Sequence, residues 1–158
     1  LDLHGTRHDD VDRIVENFVL LETPPLTIIC GNSDRMIKLV QKTLDIINFL
    51  KPEFYFIENP RGKLRKLDVV KGVPRTTVCY CQYGEDRMKP TDIWTNHLAD
   101  WFNEKGWKPR QMCFNGNKNC HHQPAPRGSQ TGTQGIKGNY LRSIVPYELC
   151  KEILKSCI

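Results

Sequence analysis

The fold is decided by residues 25–60, PLTIICGNSDRMIKLVQKTLDIINFLKPEFYFIENP. A continuous apolar run at residues 26–30 predicts a buried strand, and a glycine-containing turn leads from it into a helix. That helix carries apolar residues on two faces between residues 36 and 50, which indicates that it is largely buried. Pro52 ends the helix, and residues 54–57 predict the next strand. Because the connections are short, this stretch predicts a parallel strand-helix-strand unit.

The pattern continues on both sides of this unit. Residues 1–3 predict a short strand, residues 11–18 a helical stripe, and residues 76–82 a strand rich in β-formers. We therefore expect an α/β fold with a short, mostly parallel sheet flanked by helices in the order β-α-β-α-β-β. After residue 83 the regular pattern fades into a loop-rich C-terminal extension, and Pro146 predicts the start of a final helix. The predicted organisation is an α/β core over residues 1–83, with residues 84–158 packed on it.

The composition limits the class of protein. A chain of 158 residues with 39% hydrophobic residues can bury one core of moderate size. Its net charge of +5 is compatible with a phosphate-binding face. The chain has seven cysteines, no apolar leader and no apolar run near the ~20 residues that a bilayer requires. We therefore expect reduced or metal-bound thiols in a cytoplasm, and no membrane partner.

The first five residues, Leu1-Asp2-Leu3-His4-Gly5, carry one family resemblance. They resemble the signature of the small MutS-related (Smr) domain, over about residues 1–45. This family binds nucleic acid, and some members nick DNA or cut RNA. Asp2 and His4 would share one face of a strand, where a carboxylate and an imidazole could position water or a phosphate oxygen, with a divalent metal as cofactor. Alternatively, Asp2 caps the sheet end and His4 hydrogen-bonds a loop.

A second resemblance rests on four strings: FIENPRGK (residues 56–63), YCQYG (80–84), MKPTDIW (88–94) and PRGSQTGTQG (126–135). From about residue 44 onward, the chain resembles the C-terminal part of phage-type DNA cytosine-5 methyltransferases. The resemblance implies that Glu58 and Asn59 receive a flipped cytosine at a strand end, with Arg87 supporting the site. The alternative for Glu58 is a solvated carboxylate at the strand end. This resemblance also favours DNA over RNA as the partner, in a bacterial or phage-infected cell.

The departures from that family concern its chemistry. The sequence contains no Pro-Cys dipeptide for the nucleophile, and Gly5 stands alone where a glycine-rich loop would hold S-adenosylmethionine. A methylation site would therefore require a partner subunit or a further segment that supplies the nucleophile and the methyl donor. We expect the chain to be incomplete as a methylase alone.

A cysteine- and histidine-containing loop is the candidate metal site, because thiols and imidazoles suit tetrahedral zinc. Its candidate ligands are Cys113, Cys120, His121 and His122. The spacing is not that of a standard zinc finger, and a further ligand such as Cys79 or Cys81 must come from elsewhere. The alternative is a polar loop with incidental cysteines.

Basic residues after the third predicted strand are the main candidates for phosphate contacts. They are Arg61, Lys63, Arg65 and Lys66, with Arg127 as a second candidate among glycines. A solvated loop is the alternative for this cluster. Three functions remain open: a DNA-binding, methyltransferase-like protein, an Smr-type nicking endonuclease, and a non-enzymatic interaction protein.

Overall fold

The computed structural model describes residues 27–29, 34–124 and 139–158, together with Asp10. The Smr-like residues Asp2 and His4, and the candidate phosphate ligand Arg127, lie outside the described residues. Within them the chain forms, in order, β1 (Thr27–Ile29), α1 (Asp34–Leu50), β2 (Phe56–Pro60), β3 (Arg75–Cys79), β4 (Pro90–Thr95), α2 (Asn139–Ser143) and α3 (Tyr147–Ser156). Three 3₁₀ turns lie between the strands, at Leu64–Lys66, Asp68–Val70 and Tyr80–Tyr83.

The four described strands form one sheet in the order β1-β2-β4-β3. β1 pairs with β2 in parallel, whereas β4 is antiparallel to both of its neighbours, β2 and β3. The prediction of a mostly parallel sheet is therefore wrong. β2 and β3 do run in the same direction, but β4 lies between them and comes from the part of the chain that was predicted to be loop-rich. Its sequence, PTDIWT, starts with proline and alternates poorly, so it lacks the usual pattern of a central strand.

An apolar cluster fills each face of the sheet. On one face, α1 and the first two 3₁₀ turns pack on Ile57 and Trp94 of the sheet. On the other face, Leu149 of α3 and Trp107 pack on Phe56 and Ile93. Helices α1 and α3 confirm two predicted helices. Leu39, Val40 and Leu44 of α1 and Leu149 of α3 lie in these clusters, but Leu50 and Leu154, which also belong to the predicted apolar stripes, are exposed.

One end of the sheet gathers the ends of three strands. β2 ends at Pro60, β3 ends at Cys79, and β4 begins at Pro90, which is the partner of Cys79 in the β3–β4 register. The backbone N–H of Arg61 donates to the carbonyl of Pro90 at 2.9 Å. We call this the carboxyl end of the sheet. In the described part of the chain, no helix is long and apolar enough to cross a membrane.

Candidate metal centre

Four metal-ligating side chains converge at the carboxyl end of the sheet. Cys81 lies in the 3₁₀ turn that follows β3, and Cys113, Cys120 and His122 lie in the long loop after Trp107. Their ligand atoms all lie within 4.8 Å of one another, and Cys113 Sγ is 3.6 Å from His122 Nδ1. A tetrahedral ion with bonds of ~2.3 Å to sulfur and ~2.0 Å to nitrogen places those two atoms about 3.5 Å apart, close to the observed distance. These four side chains could therefore hold a metal ion.

The structure brings three of the four predicted loop ligands together and places His121 apart from them. Cys113, Cys120 and His122 belong to the cluster, and Cys81 joins them as the ligand from elsewhere. The other candidate for that place, Cys79, donates its thiol to the carbonyl of Cys113 at 3.4 Å. His121 lies outside the cluster: its side chain is exposed, and Nε2 is 3.0 Å from the carbonyl of Glu85.

Two side-chain amides, which the sequence analysis did not single out, face the ligand sulfurs. Gln82 Nε2 donates to Cys81 Sγ and to Cys120 Sγ, each at 3.7 Å. Asn117 Nδ2 donates to Cys113 Sγ at 3.4 Å. Each thiol of the cluster therefore has an amide donor, and such donors orient metal-bound thiolates and balance their charge. In the sequence, the one feature that could have marked these two amides is that each lies within four residues of a cysteine.

The thiols of Cys81 and Cys120 have pKa values that are shifted in opposite directions. Burial raises the pKa of the Cys81 thiol to about 12. The backbone N–H of His122, which hydrogen-bonds to Cys120, acts together with the His122 ring and the neighbouring thiols to lower the pKa of the Cys120 thiol to about 6. A bound cation would favour the thiolate at both positions.

The long loop after Trp107 that carries Cys113, Cys120 and His122, which we call the metal-ligand loop, is hydrogen-bonded to the rest of the molecule at both ends. At its start, the backbone N–H of Arg110 donates to the Tyr83 hydroxyl at 2.9 Å, and its side chain donates to Glu152 of α3 at 2.7 Å. The same guanidinium donates to the carbonyl of Gln82. At its end, the N–H of Gln123 donates to the carbonyl of Asp86 at 2.9 Å. These bonds hold the loop against the turn that carries Cys81.

The predicted base-binding pair, Glu58 and Asn59, lies at the same end of the sheet. Both side chains are buried, with 4% and 1% of their surfaces exposed, so Glu58 is not a solvated carboxylate. Glu58 Oε1 accepts a hydrogen bond from the Tyr80 hydroxyl at 2.8 Å. Burial, and then the charge of Glu58, hold the pKa of Tyr80 well above its usual value. Tyr80 precedes the metal-ligand candidate Cys81, so one 3₁₀ turn links this pair to the metal cluster.

The predicted phosphate ligands divide into two groups. Arg61, Lys63 and Lys66 have exposed side chains in the chain that follows β2, and Arg61 lies at the carboxyl end of the sheet. Arg65 instead donates from Nε and Nη2 to the buried carboxylate of Asp92, at 2.9 and 2.6 Å. Arg87 is buried and pairs with Glu85 at 2.9 Å. These two arginines make internal contacts in the fold.

The fold and the site together define a small mixed-sheet protein with a candidate Cys₃His metal centre. No protein-family model, curated protein or solved structure matches this chain. The Smr-like and methyltransferase-like resemblances therefore stay predictions.

Proposed function

We propose that this chain is a zinc-stabilised, DNA-binding protein of methyltransferase-like build that is incomplete as a methylase alone. The observation that carries the proposal is that three candidate functional features lie at the same end of the sheet. The metal cluster, the buried Glu58–Asn59 pair and the exposed Arg61 that follows β2 all lie at the carboxyl end of one sheet. Open sheets that contain parallel strands commonly bind their ligands at this end.

Zinc is the ion that best fits the ligand set. Three thiolates and one imidazole are a usual set for structural zinc, and four protein ligands complete its tetrahedral coordination. A closed site of this kind stabilises structure and has no open position for a reacting water. Here it would hold a long loop without helices or strands against the turn that carries Cys81.

The exposed cations support a phosphate-binding role. Arg61 lies close to the end of β3, because its backbone N–H donates to the carbonyl of Pro90, the partner of Cys79, at 2.9 Å. Phosphate contacts from Arg61 and Lys66 would give affinity without reading the sequence. Because Glu58 and Asn59 are buried, a base extruded from DNA would contact them only after the side chains that cover the pair had moved aside. A partner subunit would have to supply the cysteine nucleophile and the S-adenosylmethionine site.

The test combines metal analysis with DNA binding. We expect one zinc ion per purified chain by elemental analysis, and retardation of plasmid DNA on a gel that is lost as salt rises. Affinity falls as salt rises, and changing both Arg61 and Lys66 to Ala should make the slope of log affinity against log salt less steep by about 2. The reason is that about 0.9 of a counterion is released for each phosphate contact. Changing Lys38 and Lys155 to Ala is the charge-matched control, since both side chains are exposed elsewhere. DNA that is not retarded at any salt concentration would refute the proposal.

A further inference from the structure

The segment that carries three of the metal ligands has a net positive charge, because its basic residues are not balanced by any acidic residue. Residues 105–147 contain seven Lys and Arg and no Asp or Glu. The rest of the chain contains 16 Lys and Arg against all 18 acids, which is a net charge of −2. A segment with this charge attracts polyanions even though the remainder of the protein is slightly acidic.

The part of the metal-ligand loop between Cys113 and Cys120 consists of two successive tight turns. We call this shorter part the metal loop. The N–H of Asn117 donates to the carbonyl of Phe114 at 3.3 Å, and the N–H of Cys120 donates to the carbonyl of Asn117 at 3.2 Å. Gly116 has a φ of +81°, which glycine adopts readily. The ligand thiol of Cys113 points inward and is buried.

The tip of the metal loop displays an aromatic ring and a cation. Phe114 follows the buried ligand Cys113 directly, yet 65% of its surface is exposed. Lys118, also exposed, lies in the second turn. An exposed phenylalanine gains little from the core, whereas an aromatic ring and a cation exposed in the same short loop can provide stacking for a base and a contact for phosphate.

We propose that the metal loop is a contact for single-stranded nucleic acid, in which Phe114 stacks on a base and Lys118 contacts a neighbouring phosphate. The proposal rests on the DNA-binding function above but uses different residues. Metal binding at Cys113 and Cys120 fixes both ends of the loop before the nucleic acid binds, so less conformational entropy is lost on binding. Unstacked bases are the form that an exposed ring can reach, because the bases of a duplex are already stacked.

The experiment measures fluorescence anisotropy of a labelled oligothymidylate of about 12 nucleotides, a length within the range of known single-strand sites. The zinc-loaded full chain is compared with Phe114→Ala, Phe114→Trp and Lys118→Ala. We expect Phe114→Ala to weaken binding about tenfold at every salt concentration, and Phe114→Trp to keep the affinity. Lys118→Ala should lower the slope of log affinity against log salt by about 0.7. A duplex of the same length should bind more weakly than the single strand.

Matched controls separate this proposal from the general DNA-binding proposal. Phe102→Ala removes a ring that is 98% exposed in another loop and should leave the affinity unchanged. Zinc content is measured for every variant, and the salt slope of Lys118→Ala tests the contact even if Phe114→Ala loses its metal. If Phe114→Ala and Lys118→Ala bind like wild type while the Arg61/Lys66 double variant is weakened, the metal loop is not the contact but the proposed function stands. Tighter binding of the duplex, or an equal loss with Phe102→Ala, also overturns the loop proposal, and no binding of any DNA overturns both.

Discussion

Gln82 is not a candidate ligand, but it contacts two of the candidate metal ligands. Its amide nitrogen donates to the sulfurs of both Cys81 and Cys120. Gln82→Met keeps the length of the side chain but removes the donor, so we expect zinc affinity to fall by roughly 10- to 100-fold. Loss of the hydrogen bonds also leaves more electron density on sulfur, which should move the thiolate-to-metal charge-transfer bands of the cobalt-substituted protein to lower energy.

Competition with a chromophoric chelator measures the affinity, and absorption spectra of the cobalt form measure the bands. Gln41→Met is the matched control, because the Gln41 amide is exposed on α1 and bonds to Asp45 at 2.9 Å. Equal zinc affinity and equal cobalt spectra in wild type and Gln82→Met would mean that this amide does not act on the metal.

Tyr80 should make the stability of the protein depend on pH in the alkaline range. Its hydroxyl bonds to the buried Glu58, and its pKa is raised well above 10 by burial first and then by the charge of Glu58. The folded state therefore keeps the Tyr80 proton at pH values where the unfolded chain loses it. The stability from this group is fully present below pH 10 and is lost as pH rises from 10 towards the folded pKa.

Urea unfolding of Tyr80→Phe between pH 8 and 11 tests this expectation. At pH 8 the variant should be less stable than wild type by about 2 kcal/mol, the usual cost of removing one partner of a buried hydrogen bond. Above pH 10 the difference should shrink. Tyr147→Phe removes a hydroxyl from a residue that is 74% exposed and should stay within about 0.5 kcal/mol of wild type at pH 8. A difference for Tyr80→Phe that stays constant up to pH 11 would contradict the prediction.

The sequence predicted part of the metal centre at the level of single residues. Cys113, Cys120 and His122 were among its candidates because they lie within ten residues of one another. Spacing alone could not decide between His121 and His122, or between Cys79 and Cys81. The choice between Cys79 and Cys81 depends on where β3 ends. The predicted strand at residues 76–82 continues only to Cys79, and the 3₁₀ turn that follows presents Cys81 to the loop.

At the scale of elements, the sequence predicted α1 and α3 but missed β4. Helical periodicity is local, so it shows in the sequence of a single element. β4 buries Thr91, Asp92 and Thr95, which are polar residues that a pattern search assigns to a loop. Their burial is acceptable only because partners distant in sequence satisfy them: Asp92 accepts hydrogen bonds from both Arg65 and Thr77. Such partners cannot be identified before the fold is known.

The bond between Arg65 and β4 gives the prediction at this scale. Arg65→Met leaves the Asp92 carboxylate buried with its strongest partner removed, so we expect the free energy of unfolding to fall by about 3 kcal/mol. Urea denaturation measures this change. Arg61→Met, at an exposed position, should change stability by less than about 0.5 kcal/mol. Equal stabilities of the two variants would show that the Arg65–Asp92 pair does not support the central strand.

At the scale of the whole molecule, the apolar clusters and the metal centre support different parts of the chain. The two large clusters hold α1 and α3 on opposite faces of the sheet. The metal-ligand loop adds only a small third cluster, in which Cys79, Cys81 and Cys113 pack with Met88 and Cys120. The sheet therefore has its own apolar support, whereas the loop is held by hydrogen bonds at its ends and, in our proposal, by a metal ion.

This division predicts that removing the metal unfolds the loop and leaves the sheet folded. With free zinc about 1,000-fold above its Kd, the metal contributes about 4 kcal/mol to stability, so chelation should lower Tm by about 10 °C. The far-UV circular dichroism at 20 °C should change little, because no candidate ligand lies in α1 or α3. Trypsin should cut after Lys118 faster in the metal-free protein, while cleavage after Lys38 in α1 should keep its rate and serves as the internal control. Loss of the helical signal on chelation would show instead that the metal holds the whole fold, and unchanged cleavage after Lys118 would show that the loop does not need it.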